Sequence, residues 1–285
     1  MLSHFQAVIL GLVQGISELF PISSLGHSVL LPGLLGWSID QDANYFLTFI
    51  VATHFATALA LFVVYRKDWV KIIAGVCRSI RRREIKGADA DAKLGGLLIV
   101  GTVPAGVAGI VFQKPVQHLL ASPSIVAAFL VLNGGLLYAA EMLRRRTPLS
   151  VEISDPDRRI ASEISWWQSA KIGMMQVIAL LPGFSRTGST LAGGLLAGLS
   201  HEDALRFSFL LGTPIIGAAA LLKLPGLFHS GSSAAIHNAL LGALCAAIAT
   251  IVAVKILTRH FRTKTLTPFA IYCVLFGSLS LLLLG

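Results

Sequence analysis

Residues 14–28 read QGISELFPISSLGHS, and residues 176–190 read QVIALLPGFSRTGST. Laid over each other without a gap, the two stretches are identical at five positions. The identical pairs are Gln14/Gln176, Ile16/Ile178, Leu19/Leu181, Ser23/Ser185 and Gly26/Gly188. They differ at their largest polar side chains, because the first stretch carries Glu18 and His27 and the second carries Arg186. We interpret them as two copies of an internal repeat whose differences could combine an acid, a base and an anion-binding arginine in one site.

The composition is that of an integral membrane protein. Of the 285 residues, 55% are hydrophobic and only 13% are charged, and the mean hydropathy is +0.77. A helix needs about 20 apolar residues to cross a hydrocarbon core about 30 Å thick. Six stretches meet that requirement and are predicted to span the membrane: approximately 46–65, 94–112, 125–140, 205–222, 239–254 and 266–284.

The net charge of +9 is a signal of topology. Most of the lysines and arginines fall in three clusters, at 66–93, 144–171 and 255–264, which follow the first, third and fifth predicted spans. If the first span begins outside, all three clusters lie on the cytoplasmic side, as the positive-inside rule requires. The sequence therefore argues against a nucleic-acid partner.

The order of motifs and spans predicts the architecture. Each motif is followed by three spans, so the second half begins on the opposite side of the membrane from the first. We expect an all-α polytopic membrane protein with six transmembrane helices and two re-entrant helical hairpins, arranged as an inverted-topology repeat. The single membrane domain, 1–285, divides into a first repeat at 1–145 and a second at 160–285. The re-entrant hairpins are predicted at about 5–36 and 166–199.

Proline and glycine interrupt both predicted hairpins. Pro21 and Pro182 end the preceding helices, and each is followed by a loop rich in glycine and hydroxyl groups. Non-helical backbone at membrane depth is tolerated only where protein buries it or where it lines a water-filled cavity. The two loops are therefore expected to meet near the midplane of the membrane.

The second loop has the composition of an anion site. Glycines expose backbone amides, hydroxyl groups donate hydrogen bonds, and a guanidinium can grip phosphate with two of them. Phosphate or diphosphate is the natural ligand. The alternative is a kink for close helix packing, with Arg186 reaching an interface. The candidate residues here are Gly183, Ser185, Arg186, Thr187, Gly188, Ser189 and Thr190.

The first loop offers acid–base chemistry. Gln14 and Glu18 are four residues apart and share a helix face. Glu18 could bind a divalent cation or act as a general acid or base, or it could only hold Arg186 and fix the hairpins together. His27 could protonate a leaving group, deprotonate a serine or act as the nucleophile. His54, in the first predicted span, either packs or lines the pocket.

These residues resemble the undecaprenyl-diphosphate phosphatase family, the bacitracin-resistance proteins. The family signatures are an acid-or-Gln-xxx-Glu segment leading into PxSSxGH, here at 14–27, and PGxSRSxxT, here at 182–190. The likeness covers essentially the whole chain. The chain departs from the pattern at Gln14, where many members have glutamate, and at Thr187, where serine is common.

The resemblance implies hydrolysis of undecaprenyl diphosphate to undecaprenyl phosphate and inorganic phosphate, which recycles the lipid carrier for cell-wall synthesis and confers bacitracin resistance. It implies a bacterial inner-membrane protein that uses Mg²⁺ or Ca²⁺, with its site open to the periplasm. Carried onto this chain, Glu18 assists the metal or acid–base work, Ser24 or His27 is the nucleophile, and Arg186 holds the diphosphate. The residues expected to bind substrate beside it are Gln14, Ser23, Gly183, Ser185, Thr187, Gly188, Ser189 and Thr190.

A transporter or flippase of a lipid phosphate is the alternative. Inverted repeats with broken helices at the midplane are typical of alternating access, and an anion site there could carry a lipid phosphate. The sequence is also compatible with a homo-oligomer.

Overall fold

A computed structural model describes residues 1–41, 43–86, 89–112, 122–144, 155–230 and 233–284, and this part of the chain is all-helical. It contains twelve α-helices. They are α1 His4–Ser17, α2 Ser24–Leu34, α3 Asn44–Val64, α4 Arg66–Arg82, α5 Ala90–Val111, α6 Pro123–Arg144, α7 Pro156–Glu163, α8 Trp166–Ile178, α9 Arg186–Leu196, α10 His201–Ser230, α11 Ser233–His260 and α12 Thr267–Leu284.

Six of these helices are long and apolar enough to cross a membrane: α3, α5, α6, α10, α11 and α12. They confirm the six predicted spans, with ends that differ by a few residues because hydropathy fades gradually at helix termini. The protein is therefore a multi-pass membrane protein. Part of the second basic cluster, 145–154, lies outside the described residues, as does residue 145 at the predicted end of the first repeat.

Two pairs of shorter helices carry the motifs, α1 with α2 and α8 with α9. They contain 14, 11, 13 and 11 residues, and at 1.5 Å per residue none is longer than about 21 Å. No member of either pair is long enough to cross a hydrocarbon core about 30 Å thick by itself.

The first helix of each pair begins in the same way. The Ser3 hydroxyl accepts from the backbone N–H of Gln6, whose side chain returns to the Ser3 backbone. Ser165 and Gln168 form the same capping box at the start of α8. Each box satisfies two backbone donors that the helix itself leaves free, so the two pairs are alike beyond the five identical positions.

Two amphipathic helices, α4 and α7, were not anticipated from the sequence. They lie in the basic segments between spans, where charge was interpreted only as a topology signal. Helix α4 packs closely on α5, because a Cβ on Gly75 would lie 2.5 Å from the backbone nitrogen of Ala92. Its other faces expose basic side chains and apolar ones such as Val70 and Ile80.

The packing brings the motif helices to the centre of the fold. Helix α6 lies along α12, α1 packs on α11, α8 packs on α5, and α3 contacts both α10 and α11. Helices α2 and α9 both reach α6. The α1–α2 and α8–α9 connections therefore both lie beside α6.

Candidate active site

The two motif loops are tied together through Asn133 of α6, which is fully buried. Its Nδ2 donates to the carbonyl oxygen of Pro21 at 3.0 Å, and its Oδ1 accepts from the backbone N–H of Ser185 at 3.0 Å. The Thr187 hydroxyl adds a direct bond, donating to the carbonyl oxygen of Glu18 at 2.9 Å. One buried amide thus holds both loops against each other.

A serine and a glycine that the two motifs share cap α2 and α9, the second helix of each pair. The Ser23 hydroxyl accepts from the backbone N–H of Gly26 at 3.2 Å, and the Ser185 hydroxyl accepts from that of Gly188 at 3.0 Å. A capping serine satisfies one of the donors that a helix N-terminus leaves free. The identical serines and glycines therefore start α2 and α9 at the point where the loops meet.

Both loops contain backbone of positive φ. Ser23 has φ 68°, which is uncommon for a residue with a side chain. Gly183 has φ 107°, and a Cβ there would lie 2.3 Å from the carbonyl oxygen of Val126. Gly183 is therefore required both for its conformation and for the close approach of α6.

Glu18 is the centre of the polar cluster. Its Oε2 accepts from the Ser24 hydroxyl at 2.5 Å and from Gln14 Nε2 at 3.2 Å. Its Oε1 faces Arg186 Nε and Nη2, each at 3.4 Å. His54 Nε2 lies 3.4 Å from Oε2. The structure thus brings the predicted acid, serine and arginine together and adds His54, which contacts Glu18.

Arg186 is held loosely. Besides Glu18, its Nη2 donates to the Thr187 hydroxyl at 3.3 Å and its Nη1 to the carbonyl oxygen of Ser208 at 3.4 Å. Charge-assisted bonds of this kind are commonly 2.7–2.9 Å, so these contacts leave the guanidinium able to take stronger acceptors. Gly212 makes room for it, since a Cβ there would lie 2.0 Å from Nη1.

The hydroxyl groups of the second loop bond mainly within the protein. Ser185 caps α9 and Thr187 bonds to the first loop, as above. Thr190 donates to the carbonyl oxygen of Arg186 at 2.9 Å and lies 2.6 Å from the Ser208 hydroxyl. These groups hold the loop in shape, which is the arrangement that preorganises Arg186.

His27 is buried beside α12. Its Nδ1 lies 2.7 Å from the carbonyl oxygen of Ser23, and its Nε2 lies 2.7 Å from the Tyr272 hydroxyl. A carbonyl only accepts, so Nδ1 donates, and the neutral ring then accepts from Tyr272 through Nε2. The ring also stacks on Phe276 at 4.8 Å. Both ring nitrogens therefore have protein partners.

Some buried polar atoms in the motifs have no partner. Among the described residues, Gln14 Oε1 and Ser189 Oγ make no hydrogen bond, and neither does the side-chain amide of Gln176. Groups of three or more His, Cys, Asp or Glu side chains able to hold a metal do not occur in the described part of the chain.

A family model described as "Bacitracin resistance protein BacA" matches residues 7–279. The chain belongs to the BacA family. It is 45% identical over 302 residues to the undecaprenyl-diphosphatase of Mycolicibacterium paratuberculosis, covering 100% of this chain and 98% of the relative. It is 42% identical over 283 residues to that of Acidiphilium cryptum, covering 98% and 97%. It is 38% identical over 334 residues to "Undecaprenyl-diphosphatase 2" of Frankia alni, again covering 98% and 97%.

Membership of the BacA family confirms the resemblance drawn from the motifs. The sequence did not single out Asn133, Ser208 or Tyr272. A signal existed for Asn133, since an amide inside an apolar span is costly and is commonly functional. Ser208 and Tyr272 give no such signal, because serine and tyrosine are ordinary in membrane helices.

Proposed function

We propose that the protein hydrolyses undecaprenyl diphosphate to undecaprenyl phosphate and inorganic phosphate. Relatives that carry the name undecaprenyl-diphosphatase match it over its full length. The observation that supports the chemistry is the buried contact of the Ser24 hydroxyl with Glu18, next to Arg186. In the cell this reaction would recycle the lipid carrier for cell-wall synthesis and confer bacitracin resistance.

We further propose that the two halves form an inverted repeat. Helices α6 and α12 make a reciprocal contact that supports it. A Cβ on Gly134 would lie 2.7 Å from the carbonyl oxygen of Ala270, and a Cβ on Gly277 would lie 2.9 Å from that of Ala127. The glycine of each helix approaches an alanine carbonyl of the other helix, so the contact is reciprocal, as expected across a two-fold axis.

A second pair of contacts supports the same axis. Gly11 of α1 approaches α11, where a Cβ would lie 2.4 Å from the carbonyl oxygen of Gly242. Gly173 of α8 approaches α5, where a Cβ would lie 2.2 Å from that of Gly101. Gly11 and Gly173 correspond in the ungapped repeat. On this basis we infer that α1–α2 and α8–α9 are re-entrant hairpins that enter from opposite faces. As the family resemblance implies, the site would open to the periplasm.

The reaction we propose has two steps. In the first, the Ser24 hydroxyl attacks the terminal phosphorus while Glu18 accepts its proton. The bond from that phosphorus to the bridging oxygen breaks, and undecaprenyl phosphate leaves. Glu18 then passes that proton to the departing phosphate oxygen and is an ionised carboxylate again. In the second step, water attacks the phosphoserine while Glu18 accepts a proton from the water. The bond from phosphorus to the Ser24 oxygen breaks, and Glu18 returns the proton to that oxygen as phosphate is released. General-base chemistry of this kind contributes about 10²–10⁴-fold.

The remaining residues would position the diphosphate and neutralise its charge. Arg186 would exchange its long contacts for phosphate oxygens, and the N-termini of α2 and α9 would direct backbone N–H groups at the same anion. Phosphoryl transfer depends largely on such positioning and electrostatics. His27, bonded through Nδ1 to the Ser23 carbonyl, would hold the turn that presents Ser24.

The residues present fit a divalent cation, either Mg²⁺ or Ca²⁺. Glu18 offers a carboxylate, and Gln14 Oε1 is a buried oxygen without a partner in the described structure. Mg²⁺ is commonly held by one or two carboxylates together with substrate phosphates. Glu18 and Gln14 would hold the ion, which would supply positive charge to the diphosphate.

Release of phosphate in detergent tests this function. The purified protein should release phosphate from undecaprenyl diphosphate only when a divalent cation is present, and Arg186→Ala should abolish most of that release. Transport is impossible in detergent, so a lipid-phosphate transporter would release none. Wild-type activity in Arg186→Ala would contradict the assignment of the site.

A further inference from the structure

The α8–α9 hairpin carries a groove of about 470 Å³ on its outer surface, away from the Glu18 cluster. The groove is mostly apolar, and Lys171 contributes a single charge. Its floor is Gly193, which allows α9 to lie close to the α8 backbone at Ile172. The other apolar groups that line it come from Met174, Met175, Leu196 and Ala197.

The charged end of the groove has the features of a membrane interface. The Lys171 ammonium lies 5.7 Å from the centre of the Trp167 ring, and Trp167 is 69% exposed. Tryptophan beside lysine at a helix end is typical of the headgroup region. Gln168 closes this end by donating to the carbonyl oxygen of Ala197 at 3.0 Å. From there the apolar part of the groove runs along α8 toward the site loop.

The groove is a difference between the two copies of the repeat. In the ungapped alignment Lys171 corresponds to Ile9, while Gly193 and Ala197 correspond to Leu31 and Leu35. The first hairpin thus has an apolar residue in place of the charge, and two leucines where the second hairpin has small residues. The second hairpin has both the space and the cation that the first lacks.

We propose that this groove binds one anionic phospholipid. Its phosphate pairs with the Lys171 ammonium, and one acyl chain lies over Gly193 between Met175 and Leu196. Basic pockets between membrane helices are suited to anionic headgroups, and methionine adapts to flexible chains. The lipid lies in the leaflet from which α8–α9 enters, and this assignment rests on the proposed hairpin topology.

Native mass spectrometry of the full-length protein tests the site. The protein is loaded with phosphatidylglycerol or with phosphatidylcholine of the same chains, and bound lipid is counted. Lys171→Gln removes the charge, and Ala197→Leu fills the groove with the residue of the first hairpin. Lys264→Gln is the control, because Lys264 is an exposed lysine outside the groove. Retention of the folded state is checked by size-exclusion chromatography.

Wild type and Lys264→Gln should each retain one phosphatidylglycerol, bound at least tenfold more tightly than phosphatidylcholine. Lys171→Gln should lose that preference, and Ala197→Leu should lose the lipid while phosphate release in detergent stays within twofold of wild type. Equal retention by all four proteins, or no preference for the anionic lipid in wild type, would overturn the proposal. If the wild-type protein released no phosphate, the proposed function would be wrong, but the lipid-binding result would still hold.

Discussion

Arg186 Nη2 lies 3.4 Å from Glu18 Oε1, although 168 positions separate the two residues in the chain. Both side chains are largely buried, with 14% and 6% of their surface exposed. Removing one partner of a buried pair leaves an uncompensated charge, so this ion pair links α1–α2 to α8–α9 energetically as well as spatially. A diphosphate has more negative charge than one carboxylate, and its arrival would draw the guanidinium away from Glu18.

Arg186→Lys should lower kcat/KM about tenfold or more, because lysine keeps the charge but loses the planar fork that matches phosphate oxygens. Arg186→Ala should lower it by about a hundredfold or more, as removal of a preorganised donor commonly does. Steady-state phosphate release measures both. Arg81→Lys, at an exposed position of α4, should match wild type. Equal rates for wild type and Arg186→Lys would show that fork geometry is unimportant.

Ser24→Ala should reduce phosphate release about a thousandfold, since it removes both the proposed nucleophile and the donor to Glu18. Ser17→Ala is the matched control, because Ser17 is also a buried serine and bonds only to its own helix at the Val13 carbonyl. A phosphorylated peptide containing Ser24, trapped by acid quench, would be direct support. Substantial turnover in Ser24→Ala would instead favour His27 as the nucleophile.

The sequence was sufficient for the parts of this molecule that depend on local chemistry. Hydropathy located the six spans, and Pro21 and Pro182 marked the breaks between α1 and α2 and between α8 and α9. What it could not supply was which distant side chain would complete the site. Asn133 and His54 reach the loops only because α6 and α3 pack beside them, and that packing is a property of the whole fold. Helix α4 was not predicted for a different reason. Its many basic residues were interpreted only as a signal of topology, although its apolar residues give it an amphipathic pattern.

His54→Leu should lower kcat about tenfold with a smaller change in KM. His54 Nε2 lies 3.4 Å from Glu18 Oε2 and its Nδ1 lies 2.8 Å from the Ile50 carbonyl. Both of these oxygens only accept, so the ring donates from both nitrogens as the imidazolium and can orient the carboxylate that receives the Ser24 proton. Side chains that orient such a carboxylate typically contribute about tenfold. His54→Gln, which keeps a donor, should recover much of the loss. If His54→Gln and His54→Leu were equally impaired, a hydrogen-bonding role would be wrong.

Asn133→Ala should lower the free energy of unfolding by about 2–6 kcal/mol, because the Pro21 carbonyl and the Ser185 N–H both lose a buried partner at about 1–3 kcal/mol each. Thermal unfolding in detergent measures the loss. Asn238→Ala is the comparison, since Asn238 also donates to a carbonyl, that of Leu2 at 2.7 Å, but far along the chain from the motifs. Both variants should lose stability, and only Asn133→Ala should lose turnover per folded molecule. Unchanged turnover in Asn133→Ala would mean that the loops hold their geometry without the bridge.

Gly183→Ala tests the close approach of the second loop to α6, and Gly198→Ala provides a control with the same backbone conformation. The two glycines have φ 107° and 103°, so an added methyl strains both backbones by about 1–2 kcal/mol. At Gly198 nothing lies within 4 Å of the new Cβ, whereas at Gly183 it would lie 2.3 Å from the Val126 carbonyl oxygen. Since backbone cannot yield as a flexible side chain can, Gly183→Ala must move the loop that begins α9 and carries Arg186.

We therefore expect a larger fall in melting temperature for Gly183→Ala than for Gly198→Ala, together with a loss of phosphate release that Gly198→Ala does not share. Similar losses in both variants would attribute the effect to backbone strain alone and would remove the close contact with α6 as a requirement of the site.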